Sequence, residues 1–210
     1  MATTNKPTHL HFTGDDEADA LIARDPLALL IGFTLDQQVP VPKAFSGPLE
    51  LKRRLGALDA AQIAGMEPDA LEQVFREKPA IHRFPGSMAG RVQELCRAIV
   101  GEYGGDAESV WRDAADSDDL KRRLASLPGF GEMKVKSMGA VLWKRYGIEL
   151  AKPLAPPHPT LGDVDSVEAL NAYQAAKREH KAAVREGRKS PWSYSKAGRP
   201  SIDAAFFSRT

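Results

Sequence analysis

The sequence predicts an all-α protein, and three observations carry that prediction. Apolar residues recur at helical spacing through most of the chain, and helix-starting and helix-ending residues punctuate the runs. Alternating strand patterns are nearly absent, with His9 to Phe12 the one short candidate.

The elements follow in order. Asp25-Pro26 supplies an N-cap and a proline at the first helical position, opening a helix to about Gln38. Its run Leu27–Phe33 is apolar nearly all round, which marks a buried central helix. Val39-Pro40-Val41-Pro42 ends it, because the residue before a proline is pushed out of the α region. Gly47-Pro48 starts another short helix, and Asp59 and Glu67-Pro68 begin two more. From Met88 to Tyr103, the residues Val92, Leu95, Cys96, Ile99, Val100 and Tyr103 share one helical face, and Gly104-Gly105 closes the segment. Helices are expected around Asp106–Ala115, over Asp118–Ser126 and over Glu132–Tyr146. A proline-rich loop then leads to a last helix from Asp165, with Glu168 as its capping-box partner, running to about Arg185. Glu186 to Thr210 reads as an irregular basic tail.

Composition narrows the class. The chain has 210 residues, 42% apolar and 27% charged, ordinary values for a globular protein. No apolar run approaches the roughly 20 residues that cross a bilayer, and Met1 to Thr8 lacks a signal pattern, so a cytoplasmic protein without a membrane partner is expected. Cys96 is the single cysteine, excluding an internal disulfide and any iron–sulfur cluster held by four cysteines of one chain. Within the amphipathic stripe it reads as a core residue. The net charge of +1 hides an asymmetry. Residues 1–79 hold 8 Lys/Arg against 12 Asp/Glu, whereas residues 174–210 hold 9 against 3. A basic end fits an anionic partner such as nucleic acid, or a solvated tail.

Leu127-Pro128-Gly129-Phe130-Gly131 is the most specific motif. Two helices joined by a Pro-Gly-apolar-Gly turn form a tight corner in which glycine takes positive φ and Phe130 plugs down between the helices. The free N–H groups of the turn and of the next helix's start form an anion-binding concavity. A phosphate bound there is read without regard to base sequence, with Lys134 and Lys136 nearby.

In these residues the chain resembles the helix–hairpin–helix (HhH-GPD) DNA glycosylase superfamily, over about residues 25–170. Two further segments carry the likeness. Leu30–Val39 resembles the family's early helix with its Gln-bearing loop, and His82–Arg91 is similar to the crossing between lobes. The nearest likeness is to an actinobacterial-type subgroup without the iron–sulfur cluster. The resemblance implies a two-lobed helical glycosylase-like domain over residues 25–185, preceded by an N-terminal segment (1–24) and followed by the basic tail (186–210). It also implies a monomeric, nucleoid-associated base-excision enzyme acting on double-stranded DNA with a damaged or mismatched base. Such an enzyme extrudes the base and fills the gap; Gln37 or Gln38 matches the filling position, and Gly129, Phe130, Gly131, Lys134, Lys136, Ser87 and Arg91 are the other expected DNA contacts. No cofactor is implied beyond a monovalent cation at the hairpin.

The lyase branch of the family has a lysine where this chain has Met133. Lys134 is rotated about 100° from that position and reads as a wet first-turn residue, so hydrolysis by a carboxylate is the expected chemistry. Asp163, after Gly162 in a family-like loop end, is the first candidate. Asp165 at the helix start and Asp36 beside the glutamine pair are the others, each open to a plain capping or pairing role. His82 and Trp143 are candidates to hydrogen-bond or stack on the base, or else core residues. The basic run Lys177, Arg178, Lys181, Arg185, Arg188 and Lys189 suits phosphate contact or an ion-paired helix face. A non-catalytic DNA-binding or lesion-recognition module is the alternative to an enzyme.

Overall fold

The computed structural model describes residues 6–187; the tail expected to bind phosphate through Arg188 and Lys189 lies outside the described residues. Within them every regular element is helical. His9 to Phe12 is not a strand: Leu10 and Phe12 are buried in a turn stitched down by Asp19, whose carboxylate accepts from the N–H groups of Phe12, Thr13 and Gly14 and from the Thr13 hydroxyl. Burial of this carboxyl raises its pKa above the ordinary aspartate value.

Helices α1 (Asp16–Arg24), α2 (Pro26–Leu35) and α3 (Val41–Leu55) pack around one another, with α2 at the centre. Asp25 caps α2 as expected, accepting from the N–H groups of Leu27 and Ala28, and every α2 residue from Leu27 to Leu35 is buried. Leu10, Phe12 and Ile22 are fully buried in the same core.

Two expectations for this region need correction. α2 ends at Leu35 rather than Gln38, because Asp36 leaves the helical region at a ψ of +70°, and Gln38 beyond it takes a left-handed φ of +56°. α3 is continuous from Val41 and carries Pro48 in its interior, rather than starting at Gly47-Pro48. Gly47 lies directly against Leu35 and Ile81, a closeness that a Cβ would prevent.

α4 (Ala60–Gly65) and α5 (Pro68–Arg76) lie on α6 (Pro85–Tyr103). The predicted stripe on α6 buries Val92, Leu95, Cys96 and Ile99, while Val100 turns outward. Burial pushes the Cys96 thiol up to about 12, which leaves it inert as a nucleophile. Next come α7 (Ser109–Arg112), α8 (Ser117–Ser126) and α9 (Glu132–Tyr146). α7 is a single turn instead of the helix expected over Asp106–Ala115. Asp106 and Asp113 close on Arg112, and Asp116 opens α8 by capping Asp119 N–H.

Two 3-10 segments, η1 (Glu149–Leu154) and η2 (Leu161–Asp163), pack on α9, and α10 (Val167–Arg185) follows. The approach of η2 is closer than any side chain would allow: a Cβ on Gly162 would stand 2.5 Å from Ala140 O. Ser166 caps α10 through Ala169 N–H, so the helix does not begin at Asp165, which is exposed. One hydrophobic core continues from α1 through α10. Tyr146 of α9 fastens the C-terminal half to the N-terminal half, its hydroxyl donating to Ala23 O at 3.0 Å.

Candidate functional site

Local sequence builds the corner between α8 and α9. Gly129 has a φ of +79°, Phe130 N–H donates to Leu127 O at 3.0 Å, and the Phe130 ring is 4% exposed, 6.3 Å from Phe33 of α2. The plug expected of Phe130 is therefore present. Gly131 is the N-cap of α9 and, among the described residues, no side-chain cap meets the N–H groups of its first turn. Of the other helices without a side-chain cap, α5 and α6 begin with proline and α3 has one at its second position. Among the hairpin carbonyls, Leu127 O accepts from Phe130 N–H, and Gly131 O from the N–H groups of Lys134 and Val135. Among the described residues, no three His, Cys, Asp or Glu side chains cluster as metal ligands do.

One helical turn beyond Gly131 a cleft of about 310 Å³ opens. Phe33 and Asp36 come from the end of α2, Lys134 and Ser137 from α9, His158 from the proline-rich loop, and Tyr173 and Lys177 from α10. The α2 terminus delivers Asp36 because its last turn is closed by Asp36 N–H donating to Gly32 O, which leaves the carboxylate outside the helix. That carboxylate lies 3.7 Å from Lys177 Nζ and its side chain is 18% exposed. Lys177 is also 5.9 Å from the Tyr173 ring centroid, one turn away on α10. Burial, reinforced by the fields of Asp36 and Asp163, holds the Tyr173 phenol protonated well above its ordinary range.

The reading of Lys134 as a wet residue is corrected by this packing. The start of α9 rests against the end of α2, so Lys134 is drawn into the cleft, while its neighbour Met133, 63% exposed, lines the same cleft from the solvent side. Its ammonium is 3.4 Å from Thr34 O and 5.7 Å from the Phe130 centroid. Desolvation pushes it down to about 8, against the opposing field of Asp36 and helped by Arg91. The folded pKa lies below the unfolded value of 10.5, so the unfolded chain holds the extra proton between these limits. The cost is complete below pH 8 and gone above the unfolded pKa. Lys134→Met is therefore expected to stabilise the fold at pH 7 by about 1–2 kcal/mol, a figure discounted for partial solvation. The gain should vanish near pH 11 in denaturant titrations at both pH values; an equal gain at both would show the amine is not desolvated.

The other candidates are placed as follows. Asp163 does not project into the cleft. Its Oδ2 accepts from Thr160 N–H and hydroxyl in a capping box, and its Oδ1 is 2.5 Å from Lys144 Nζ. Asp165 is exposed one residue before the α10 cap. His82 is 1% exposed and lines no base pocket: its Nδ1 accepts from Phe84 N–H and its Nε2 donates to Gln37 O at 3.0 Å, clasping the α2–α3 loop. Burial depresses its pKa. Trp143 also lies away from the cleft lining, half-buried between the ammoniums of Lys144 and Lys152.

Of the glutamine pair, Gln37 is tied down, donating to Thr34 O and accepting from Arg91. Gln38 is exposed on the strained residue of the loop. Beyond it, a groove against Gln174, Arg178 and Lys181 of α10 continues from the cleft, and Lys177 lines both. Ser87 is exposed in the first turn of α6, and Lys136 is paired with Glu132 at 2.6 Å on the rim.

Tyr173 and Lys177 are the residues whose part in the cleft the sequence reading missed. Their i, i+4 spacing on α10, in phase with buried Leu170, is the signal that puts them on its inner side. No helix among the described residues is long and apolar enough to cross a membrane. Comparisons of the chain with protein-family models, curated proteins and solved structures found no match.

Proposed function

We propose that this chain is a base-excision DNA glycosylase of the helix–hairpin–helix type. The observation that carries the reading is one helix serving two ends. α9 begins at an uncapped Gly-Phe-Gly turn suited to a phosphate and, within about 5 Å of helical rise, contributes Lys134 to a cleft walled by the Asp36 carboxylate. A nucleotide whose phosphate docks at the turn has its sugar within reach of that carboxylate. Exposed Gln38, on the loop that follows Asp36, is the side chain able to enter the duplex in place of an extruded base. Asp36 takes the role expected of Asp163: it stabilises positive charge developing on the sugar and receives a proton from the attacking water, while the base leaves with the electrons of the glycosidic bond.

Duplexes carrying uracil, hypoxanthine, 8-oxoguanine, alkylpurines or mismatches, incubated with the protein and then heated in alkali, should yield abasic-site cleavage for at least one lesion. Binding with no abasic product from any of them would instead support the lesion-recognition module. Gln38→Ala is expected to lower excision about tenfold or more, with Gln37→Ala acting mainly through the loop's stability; the reverse order would assign the gap-filling role to Gln37.

A second reading has the burial of Lys134 in its favour. An amine with a depressed pKa beside a cleft can add to the sugar aldehyde as a Schiff base and cut the strand. Borohydride trapping of a covalent complex, lost in Lys134→Met, would establish this lyase step; excision with no trapped complex leaves hydrolysis alone.

A further inference from the structure

The charges and rings of the cleft also select among bases, an inference that rests on the excision reading. Three lysines, Lys134, Lys136 and Lys177, line the cleft, and Asp36 is the one carboxylate among its described lining residues. Lys136 is neutralised on the rim by Glu132, and Asp36 already faces Lys177. The nearby Asp163 is paired with Lys144.

The aromatic faces are committed as well. A cationic base gains most of its binding from stacking on electron-rich rings. Here the Tyr173 ring has the Lys177 ammonium 5.9 Å from its centroid, and Phe33, the other ring of the lining, is 2% exposed and packed against Phe45 and Phe130. A methylated purine cation would bring another positive charge into a space where the Tyr173 ring and the Asp36 carboxylate already serve Lys177. Carbonyl oxygens, by contrast, find ammonium donors on two walls.

We propose that the cleft takes an uncharged base bearing carbonyl acceptors, of the oxidised-purine, hypoxanthine or uracil class, and discriminates against cationic alkylpurines.

The test uses the full chain and duplexes whose lesion carries a 2′-fluoro sugar, which blocks cleavage of the glycosidic bond. The lesions are 8-oxoguanine, hypoxanthine, uracil and 7-methylguanine, with unmodified guanine as reference. 8-oxoguanine and 7-methylguanine share the guanine frame and differ in charge, so their comparison isolates the cation. At least one neutral lesion should bind tenfold or more tightly than 7-methylguanine, and 7-methylguanine no more tightly than guanine. Lys177→Glu should narrow that gap at least tenfold by reversing the charge over Tyr173, whereas Lys136→Glu, on the rim, should change it little. Tightest binding to 7-methylguanine overturns the charge selection while leaving base recognition intact. Equal affinity for all five duplexes overturns base recognition itself.

Discussion

Asp36→Asn is expected to lower excision by about 10²–10⁴-fold, the usual contribution of a positioned acid–base group, with the fold unchanged. The carboxylate stands at the cleft wall, and its ion-pair partner Lys177 is 3.7 Å away and 30% exposed. An ion pair of that length and exposure contributes little to stability, so the variant should melt within a degree or two of the parent. Asp163→Asn makes the converse prediction. It leaves one oxygen where two accept, so either the Thr160 cap or the 2.5 Å contact to Lys144 is lost, costing about 1 kcal/mol, yet excision per folded molecule should stay within a few-fold. Single-turnover rates on the best lesion, with denaturant melts on the same preparations, separate the two. An Asp163→Asn protein that folds normally and has lost excision, beside an active Asp36→Asn, would reverse the assignment.

The contrast also marks what residue patterns reveal here. Elements governed by neighbours in the chain were legible. The α6 stripe, the Asp25 cap and the Phe130 plug all follow from local spacing. The Thr160-x-x-Asp163 pattern is itself a capping box with aspartate in the acidic position, a local signal against leaving Asp163 free. The cleft is another matter. Asp36, Lys134 and Lys177 are about a hundred and forty residues apart at the extremes, and the face Lys134 presents depends on how the start of α9 seats against α2. A first-turn lysine is ordinarily solvated, and only tertiary packing removes it from water. For His82 the core reading holds over the base-contact one: its partners, Gln37 O and Phe84 N–H, are backbone groups from two loops, and a backbone partner leaves no mark in the side-chain pattern.

Phe130→Ala is expected to cost about 3–5 kcal/mol, the range for emptying a buried phenylalanine site, and to weaken binding even to undamaged duplex. The ring is 4% exposed at the corner of α8 and α9, against Phe33 of the central helix. Removing it opens a void under the turn proposed to receive the phosphate, and it takes away the ring beside the Lys134 ammonium. Phe130→Leu, which keeps most of the volume, should recover more than half of the stability. Stability alone cannot tell a plug from a grip, so Gly129→Ala is the companion variant. A Cβ there meets nothing within 4 Å, but the φ of +79° is strained for alanine, at about 1–2 kcal/mol. If the turn holds DNA through its backbone, Gly129→Ala should weaken duplex binding out of proportion to its small stability loss, by about tenfold in Kd at low salt. Equal Kd for Gly129→Ala and the parent, alongside a destabilised Phe130→Ala, would make Leu127–Gly131 a packing corner alone.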